Sequence, residues 1–224
     1  TSSAAGKRIL QLVDFFLNRG DEVCFASAAS KTEWSYNLSG KSVKEFPIRL
    51  NDSSFNELLQ KIKPNVIIYD RFISEEQFGW RVSQECPDAL QILDTEDLHF
   101  LRAAREKAFI KNQEIDYYNE TAVREIASIL RCDLSLIISE FEMDLLNSKF
   151  QIPYSLLYYL PFLENFSTLK DEIQTKTFEE KQNFIFIGNF LHEPNWQTVL
   201  NLKKNVWPKI KSRLPQARLH IYGA

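Results

Sequence analysis

Short apolar runs alternate with amphipathic segments along most of the chain. The runs predict buried strands at residues 23–26, 46–50, 66–70 and 89–94. Apolar residues spaced three or four positions apart predict helices between these strands, at residues 53–63 and 75–85. Strands that alternate with helices are typical of a parallel sheet with helices on both faces.

The alternation pauses after Asp94 and then resumes. Residues 97–130 have a helical pattern that breaks near residues 112–114, which predicts two consecutive helices. Residues 133–139 and the sequence SLLYYLP predict two more strands. Between them, Ser139 and Glu142 have the spacing of a capping box that opens a helix over residues 140–149. The pattern therefore predicts a Rossmann-like, doubly wound α/β domain over residues 1–163.

A helix begins directly behind the small residues TSSAAG and should end at Gly20. In a Rossmann-like sheet such a helix usually follows the first strand. We therefore expect a first strand to be missing ahead of it; the alternative is that the mature protein begins at this point.

The composition changes after the first predicted domain. Residues 164–182 are rich in Glu, Lys, Thr and Gln and have little apolar periodicity, which predicts a linker. Beyond it, a strand, a helix and a strand are predicted at residues 183–188, 195–213 and 217–223. One such βαβ unit cannot cover both faces of a parallel sheet. We therefore expect residues 183–224 to be the incomplete start of a second domain.

Length and composition narrow the class of protein. At about 150 residues per domain, 224 residues correspond to roughly one and a half domains, which favours a truncated larger enzyme. A hydrophobic content of 44% and a charged content of 25% are typical of a soluble, core-forming chain. The net charge of -3 argues against nucleic acid as the main partner.

The cysteines and the lengths of the apolar runs indicate in which cellular compartment the protein is expected. The three cysteines are far apart and form no CxxC pair, so neither a disulfide framework nor a zinc site is predicted. No apolar run approaches the roughly 18 residues of a membrane span. We expect a cytoplasmic protein and leave open a peripheral contact with the inner face of the membrane.

The end of the chain carries a family resemblance. NFIFIGNFLHEPNWQTVLNLKKNVWPKIKSRLPQARLHIYGA is similar to the opening of the second domain in family 4 glycosyltransferases of the GT-B fold. Its matching positions are Phe186, Gly188, Pro194, Asn195, Trp207, Pro208, Pro215, Ala217 and Gly223. The segments AAGKRILQLVDFFLNRGDEV, DTEDLHFLRAARE and CDLSLIISEFEMDLL resemble parts of the first domain. The order and spacing of these segments extend the resemblance to nearly the whole chain.

The resemblance implies transfer of a sugar from a nucleotide-sugar donor to a carbohydrate, lipid-linked or other acceptor. The second domain would hold the donor, the first domain would hold the acceptor, and the anomeric configuration would be retained. No cofactor and no essential metal are implied, since the nucleotide sugar is a substrate and basic side chains and helix N-termini neutralise the leaving diphosphate. The acidic pair and basic residues that contact the donor would lie beyond Ala224, so we expect this chain alone to be inactive.

Three residues at the start of the first helix are candidates for binding the donor phosphates. Gly6 lets backbone N–H groups approach an anion at the helix N-terminus, and Lys7 and Arg8 add positive charge. The alternative is a simple helix start with solvated basic residues.

Candidate catalytic residues follow the strand that ends at Asp94, where open α/β sheets bind ligands. Asp94 or His99 is a candidate to orient an acceptor hydroxyl and to take its proton. Asp97 is either a further residue of the cleft or the cap of the following helix. Arg102 could face an anionic ligand or form a surface ion pair.

Other candidates rest on position at a strand end. Asp70 and Arg71 follow the strand at residues 66–70. Gly188, Asn189 and Phe190 lie where the first strand of the second domain meets its helix, and the glycine would let a nucleotide approach the backbone.

Two alternatives to a glycosyltransferase remain at this stage. One is another GT-B enzyme, such as a nucleotide-sugar epimerase, and the other is a non-catalytic interaction module on the same scaffold. The faces exposed by truncation could also support self-association.

Overall fold

The computed structural model of the protein describes residues 4–33, 35–163, 177–191 and 193–223. All pairings between described strands are parallel, and helices separate most of the strands. This confirms the predicted α/β class with parallel sheets. The chain divides into two compact units, Thr1–Glu164 and Asn165–Ala224. Of the predicted linker, residues 164–176 lie outside the described residues.

The first unit contains six strands and six helices in the described ranges. Their bounds, in chain order, are α1 Ala4–Asn18, β1 Cys24–Ser27, β2 Lys44–Pro47, α2 Ser54–Ile62, β3 Val66–Asp70, α3 Arg71–Glu85, β4 Leu90–Asp94, α4 His99–Lys111, α5 Glu120–Arg131, β5 Leu134–Ile137, α6 Glu140–Phe150 and β6 Leu157–Tyr159.

The strands of this unit form two sheets. Strands β3, β4, β5 and β6 form one sheet in that order, while β1 and β2 form a separate pair. The main core lies between the larger sheet and helices α2 to α6, with Val82, Leu93 and Ile137 fully buried. Helix α1 packs on the other side, through a cluster that contains Leu12, Ile92 and Leu136.

Some boundaries differ from the prediction for local reasons. Strand β2 begins at Lys44, earlier than predicted, because Lys44 already pairs with Cys24 of β1. Helix α3 begins at Arg71 rather than Glu75, directly after β3. The break between α4 and α5 is longer than predicted. It begins at Asn112, which has a φ of 49°, and ends at Asn119, whose side chain accepts a hydrogen bond from Ala122 N at 3.1 Å.

The second unit contains a parallel strand pair and a helical segment. Its elements are β7 Phe184–Ile187, α7 Glu193–Asn201, a π turn Leu202–Val206, α8 Trp207–Arg213 and β8 Leu219–Tyr222. The single helix predicted over residues 195–213 is therefore interrupted by the π turn. Pro208 has no N–H to donate to the preceding turn, which explains the wider turn in front of it.

Gly223 ends this unit with a φ of 156°. A Cβ atom at this position would lie 1.8 Å from the carbonyl oxygen of Gly188. Glycine is therefore required for the two backbones to approach each other.

Within the described ranges, every helix is too short or too polar to pass through a lipid bilayer.

Candidate functional site

The carboxyl ends of β3 and β4 lie side by side, because Asp70 pairs in register with Asp94. Polar side chains from the two strand ends therefore meet. The Arg71 guanidinium lies 3.2 Å from an Asp70 carboxylate oxygen and 3.5 Å from a Glu96 carboxylate oxygen. We define the strand-end cluster as Asp70, Arg71, Glu96, Asp97, His99 and Arg102.

The backbone of this cluster is strained at two positions. Arg71 has a φ of 66° and Glu96 has a φ of 61°, and neither is a glycine. Glu96 is the middle of a three-residue turn in which Asp97 N donates to Thr95 O at 2.8 Å. The left-handed conformation costs about 1–2 kcal/mol per residue, and such strain tends to occur at functional sites.

The turn is anchored to the neighbouring strand. Thr95 is buried, and its hydroxyl donates to the carbonyl of Leu136 in β5 at 3.0 Å. This contact attaches the end of β4 to β5 and so helps to position Glu96 and Asp97, the next two residues.

His99 is the first residue of α4, and its ring faces the cluster. Its Nε2 atom lies 3.5 Å from an Asp97 carboxylate oxygen, and the ring makes an edge contact with Phe72. Burial lowers the pKa of His99, while the negative charge of Asp97 raises it. A neutral imidazole next to a carboxylate is the form that accepts a proton.

Asp97 binds a cation rather than capping α4. Arg102 donates to both Asp97 carboxylate oxygens, at 3.1 and 3.0 Å. The helix begins after Leu98, with no side-chain cap from its own segment. The alternative that Asp97 caps this helix is therefore wrong.

Two distant glutamates bind the N-terminus of α4 instead. Glu125 of α5 accepts hydrogen bonds from His99 N at 3.1 Å and from Phe100 N at 2.9 Å. Glu142 of α6 accepts from Leu98 N at 3.4 Å. Negative charge is favourable at a helix N-terminus, where backbone N–H groups lack partners. These contacts position the backbone of His99.

The predicted capping box of α6 is wrong, because the Glu142 side chain binds the N-terminus of α4 instead of its own helix start. Ser139 precedes the helix but makes no side-chain cap hydrogen bond. The Glu142 carboxylate is nearly buried and turns toward α4, so it does not reach back to Ser139.

Glu96 lies between the candidates Asp94 and Asp97 in the sequence but is not among the predicted site residues. Its side chain is only 12% exposed. Within the part of the chain that the structure describes, its Oε1 atom has no hydrogen-bond partner. Burial, and then the charge of Asp70, raise the pKa of Glu96 to about 7.

Replacing Glu96 with glutamine should stabilise the protein at pH 8 but not at pH 5. The folded-state pKa of about 7 lies above the ordinary value of 4.5, so the folded state retains a proton that the unfolded state loses. The contribution of Glu96 to the free energy of unfolding therefore falls as the pH rises from about 5 to 8. Glutamine mimics the protonated form and should gain about 1 kcal/mol at pH 8, allowing for solvent screening. Urea unfolding at both pH values measures the difference. An equal effect at pH 5 and pH 8 would contradict the prediction.

Arg8 and Asp94, predicted in different roles, bind each other in the interior. Arg8 is 2% exposed and Asp94 is 0% exposed. The Arg8 Nε atom lies 2.8 Å from both Asp94 carboxylate oxygens, and Nη1 donates to the carbonyl of Leu160 at 2.9 Å. The pair joins α1 to β4 and to the chain after β6. Phosphate binding by Arg8 and catalysis by Asp94 stay predictions, whereas the geometry shows a structural role for both.

Gly6 and Lys7 lie in the first turn of α1, ahead of this pair. Lys7 is exposed and Gly6 is half-buried. Their predicted role in phosphate binding stays a prediction.

The candidates in the second unit form a local turn after β7. The Asn189 side chain accepts from Leu191 N at 2.9 Å, and its carbonyl accepts from the Asn195 side chain at 3.0 Å. Phe190 stacks on Phe186 with ring centroids 6.3 Å apart. Gly188 N donates to Tyr222 O at 3.0 Å, so its backbone belongs to the strand pair. A nucleotide contact at these residues stays a prediction.

In the described ranges, no three His, Cys, Asp or Glu side chains are grouped as metal ligands. Comparison with protein-family models and with curated proteins finds no match to this chain, so the resemblance to glycosyltransferases rests on its own residues.

Proposed function

We propose that the chain is part of a glycosyltransferase that moves a sugar from a nucleotide-sugar donor to an acceptor hydroxyl. The observation that carries the proposal is the strand-end cluster, in which an imidazole, three carboxyl groups and two guanidinium groups lie at the carboxyl edge of a parallel sheet. Open α/β sheets bind ligands at this edge. The resemblance of the chain to family 4 glycosyltransferases supports the same conclusion.

His99 is the group best placed to receive the acceptor proton. Its lowered pKa keeps the imidazole neutral near pH 7, and Asp97 lies beside Nε2 to stabilise the imidazolium that forms. Glu96 is the second proton acceptor of the cluster, because its pKa of about 7 suits transfer near neutral pH.

Arg71 and Arg102 give the cluster positive charge. Each already pairs with carboxylates, at Asp70 and Glu96 for Arg71 and at Asp97 for Arg102. These pairs hold the carboxylates in place around a bound hydroxyl. In this proposal the first unit binds the acceptor, and the residues that bind the nucleotide-sugar donor belong mainly to the second domain.

The test is a transfer assay on the polypeptide encoded by the complete gene, with a panel of UDP, GDP and ADP sugars. Released nucleoside diphosphate and the mass of the product report transfer. We expect His99→Ala to lower kcat/KM about 100-fold, as loss of a general base does. Glu106→Gln, an exposed substitution on the same helix, is the matched control and should retain activity.

The outcomes are distinct. Transfer that depends on His99 supports the proposal. An isomerised donor sugar without transfer indicates an epimerase, and no turnover of any donor favours an interaction module, so either result overturns the proposal. Full activity in His99→Ala removes this residue from the chemistry.

A further inference from the structure

Residues 183–224 are far more basic than the rest of the chain. They contain six of the 27 Lys and Arg residues but only one of the 30 Asp and Glu residues, a net charge of +5. Residues 1–182 hold the other 21 basic and 29 acidic residues, a net charge of -8. The net charge of -3 for the whole chain therefore does not describe this part, which is strongly positive.

Most of this positive charge lies on the helical segment of the second unit. Lys203 and Lys204 lie in the π turn, and Lys209 and Arg213 lie one turn apart in α8. All four residues are exposed. We define the basic helix surface as these four residues.

The helical segment is held on the strand pair by other residues. Val199 is buried, and the Trp207 ring makes an edge contact with Phe184 of β7 at a centroid distance of 5.8 Å. The remaining helical cation, Lys211, donates to the carbonyl of Ala217 at 2.9 Å. The basic helix surface is therefore not needed to attach the helices to the strands.

The four cations of the basic helix surface have no carboxylate partner among the described residues. In the first unit, by contrast, Lys31, Lys41 and Lys44 each pair with an Asp or Glu side chain. Lys209 and Arg213 are four positions apart on one helix, where like charges repel each other. Negative charge from another molecule would therefore stabilise this surface.

Large apolar side chains flank the basic helix surface at both ends. Leu191, in the turn ahead of α7, is 91% exposed, and Trp196, in the first turn of α7, is 49% exposed. Leu214, directly after α8, is 50% exposed. Basic residues combined with Trp and Leu are typical of helices that lie in the interface of a membrane. Aliphatic side chains gain nothing from a sugar–phosphate backbone, so the pattern favours a lipid surface over nucleic acid.

We propose that the basic helix surface docks on a membrane that contains anionic lipids, with Leu191, Trp196 and Leu214 entering the head-group region. The inference rests on the charges and exposed apolar residues of the second unit, independently of the proposed function. An anionic leaflet attracts Lys and Arg side chains within a Debye length, about 10 Å. The four cations are spread along roughly 15 Å of helix, so the helix should lie along the membrane surface rather than enter it.

The test is co-sedimentation of the 224-residue chain with lipid vesicles. One set of vesicles is pure phosphatidylcholine, and the other contains about 30% phosphatidylglycerol. A triple variant, Lys203→Gln with Lys204→Gln and Lys209→Gln, removes three charges from the basic helix surface. A second variant, Trp196→Ala, removes an apolar side chain and leaves the charge unchanged.

The matched control removes the same charge from the first unit. It combines Lys61→Gln, Lys63→Gln and Lys107→Gln, three exposed positions. Circular dichroism verifies that each variant is folded. A single-stranded DNA oligonucleotide measures binding to a polyanion that contains no lipid.

We expect the wild-type chain to bind the phosphatidylglycerol vesicles about tenfold or more tighter than phosphatidylcholine, and the triple variant to lose that preference. The control variant should bind as the wild type does. Trp196→Ala should weaken binding to the phosphatidylglycerol vesicles, and added salt should weaken it further.

Equal binding to the two kinds of vesicle, or an equal loss in the triple variant and the control, would overturn the proposal. It would also be overturned if the oligonucleotide bound as tightly as the phosphatidylglycerol vesicles while Trp196→Ala had no effect. The basic helix surface would then be a general polyanion site rather than a membrane contact.

Discussion

Replacing Arg8 with methionine is expected to lower the free energy of unfolding of the first unit by about 3–5 kcal/mol. The substitution leaves the fully buried Asp94 carboxylate without its cation and removes a donor to the Leu160 carbonyl. Burial already raises the pKa of Asp94 against the lowering effect of Arg8, so the unpaired charge is poorly tolerated. Urea unfolding, with hydrogen exchange of Leu90–Asp94 as the local probe, measures the loss.

Two further variants test whether the buried charge is the cause. Arg19→Met removes an exposed ion pair with Asp21 and should cost less than about 1 kcal/mol. The double variant Arg8→Met with Asp94→Leu removes both charges and should recover at least half of the loss. If Arg8→Met behaves like Arg19→Met, or if the double variant is no more stable than Arg8→Met, the interpretation of the pair is wrong.

Replacing Glu125 with alanine is expected to cost about 3–4 kcal/mol at pH 5. Glu125 is 1% exposed and accepts hydrogen bonds from His99 N and Phe100 N, so its loss leaves two donors without partners at about 1–3 kcal/mol each. Urea unfolding measures the change. Glu106→Ala, an exposed substitution, is the control and should change stability by less than about 0.5 kcal/mol.

The cost of Glu125→Ala should shrink as the pH rises to 8. Burial raises the pKa of Glu125 to about 7 from an ordinary 4.5, so the folded state binds more protons than the unfolded state in this range. The wild-type protein therefore loses stability from this group as the pH rises toward and through 7, whereas the alanine variant does not. A cost that grows between pH 5 and pH 8 would show that the carboxylate is stabilised as an anion at the helix terminus.

Much of the first unit follows from local pattern. Strand β3 matches its predicted bounds, and Gly20, with a φ of 87°, follows the end of α1 as predicted. Apolar periodicity is sufficient here because burial of one face determines both the type of element and its position. The meeting of the Asp70 and Asp94 strand ends also follows, since parallel strands place their carboxyl ends at one edge.

The pairing of polar groups could not be predicted in the same way. Arg8 and Asp94 are 86 residues apart, and each had a plausible local role at a helix start or a strand end. The sequence contains only a weak indication that Glu125 is buried, namely its position on the apolar face of α5 between Ala122 and Ile129. The sequence does not show which helix end such a buried carboxylate will bind.

The sequence by itself determined the order and type of most elements, the parallel α/β class and the edge of the sheet at which polar residues collect, because these depend on periodicity and on strand direction. Only the tertiary structure decided which candidates face one another. It brought Arg8 to Asp94 in the interior and left His99, Asp97 and Glu96 in the cluster. The reason is that a buried charge must find an opposite charge or a free N–H group, and that partner is chosen by packing of distant segments.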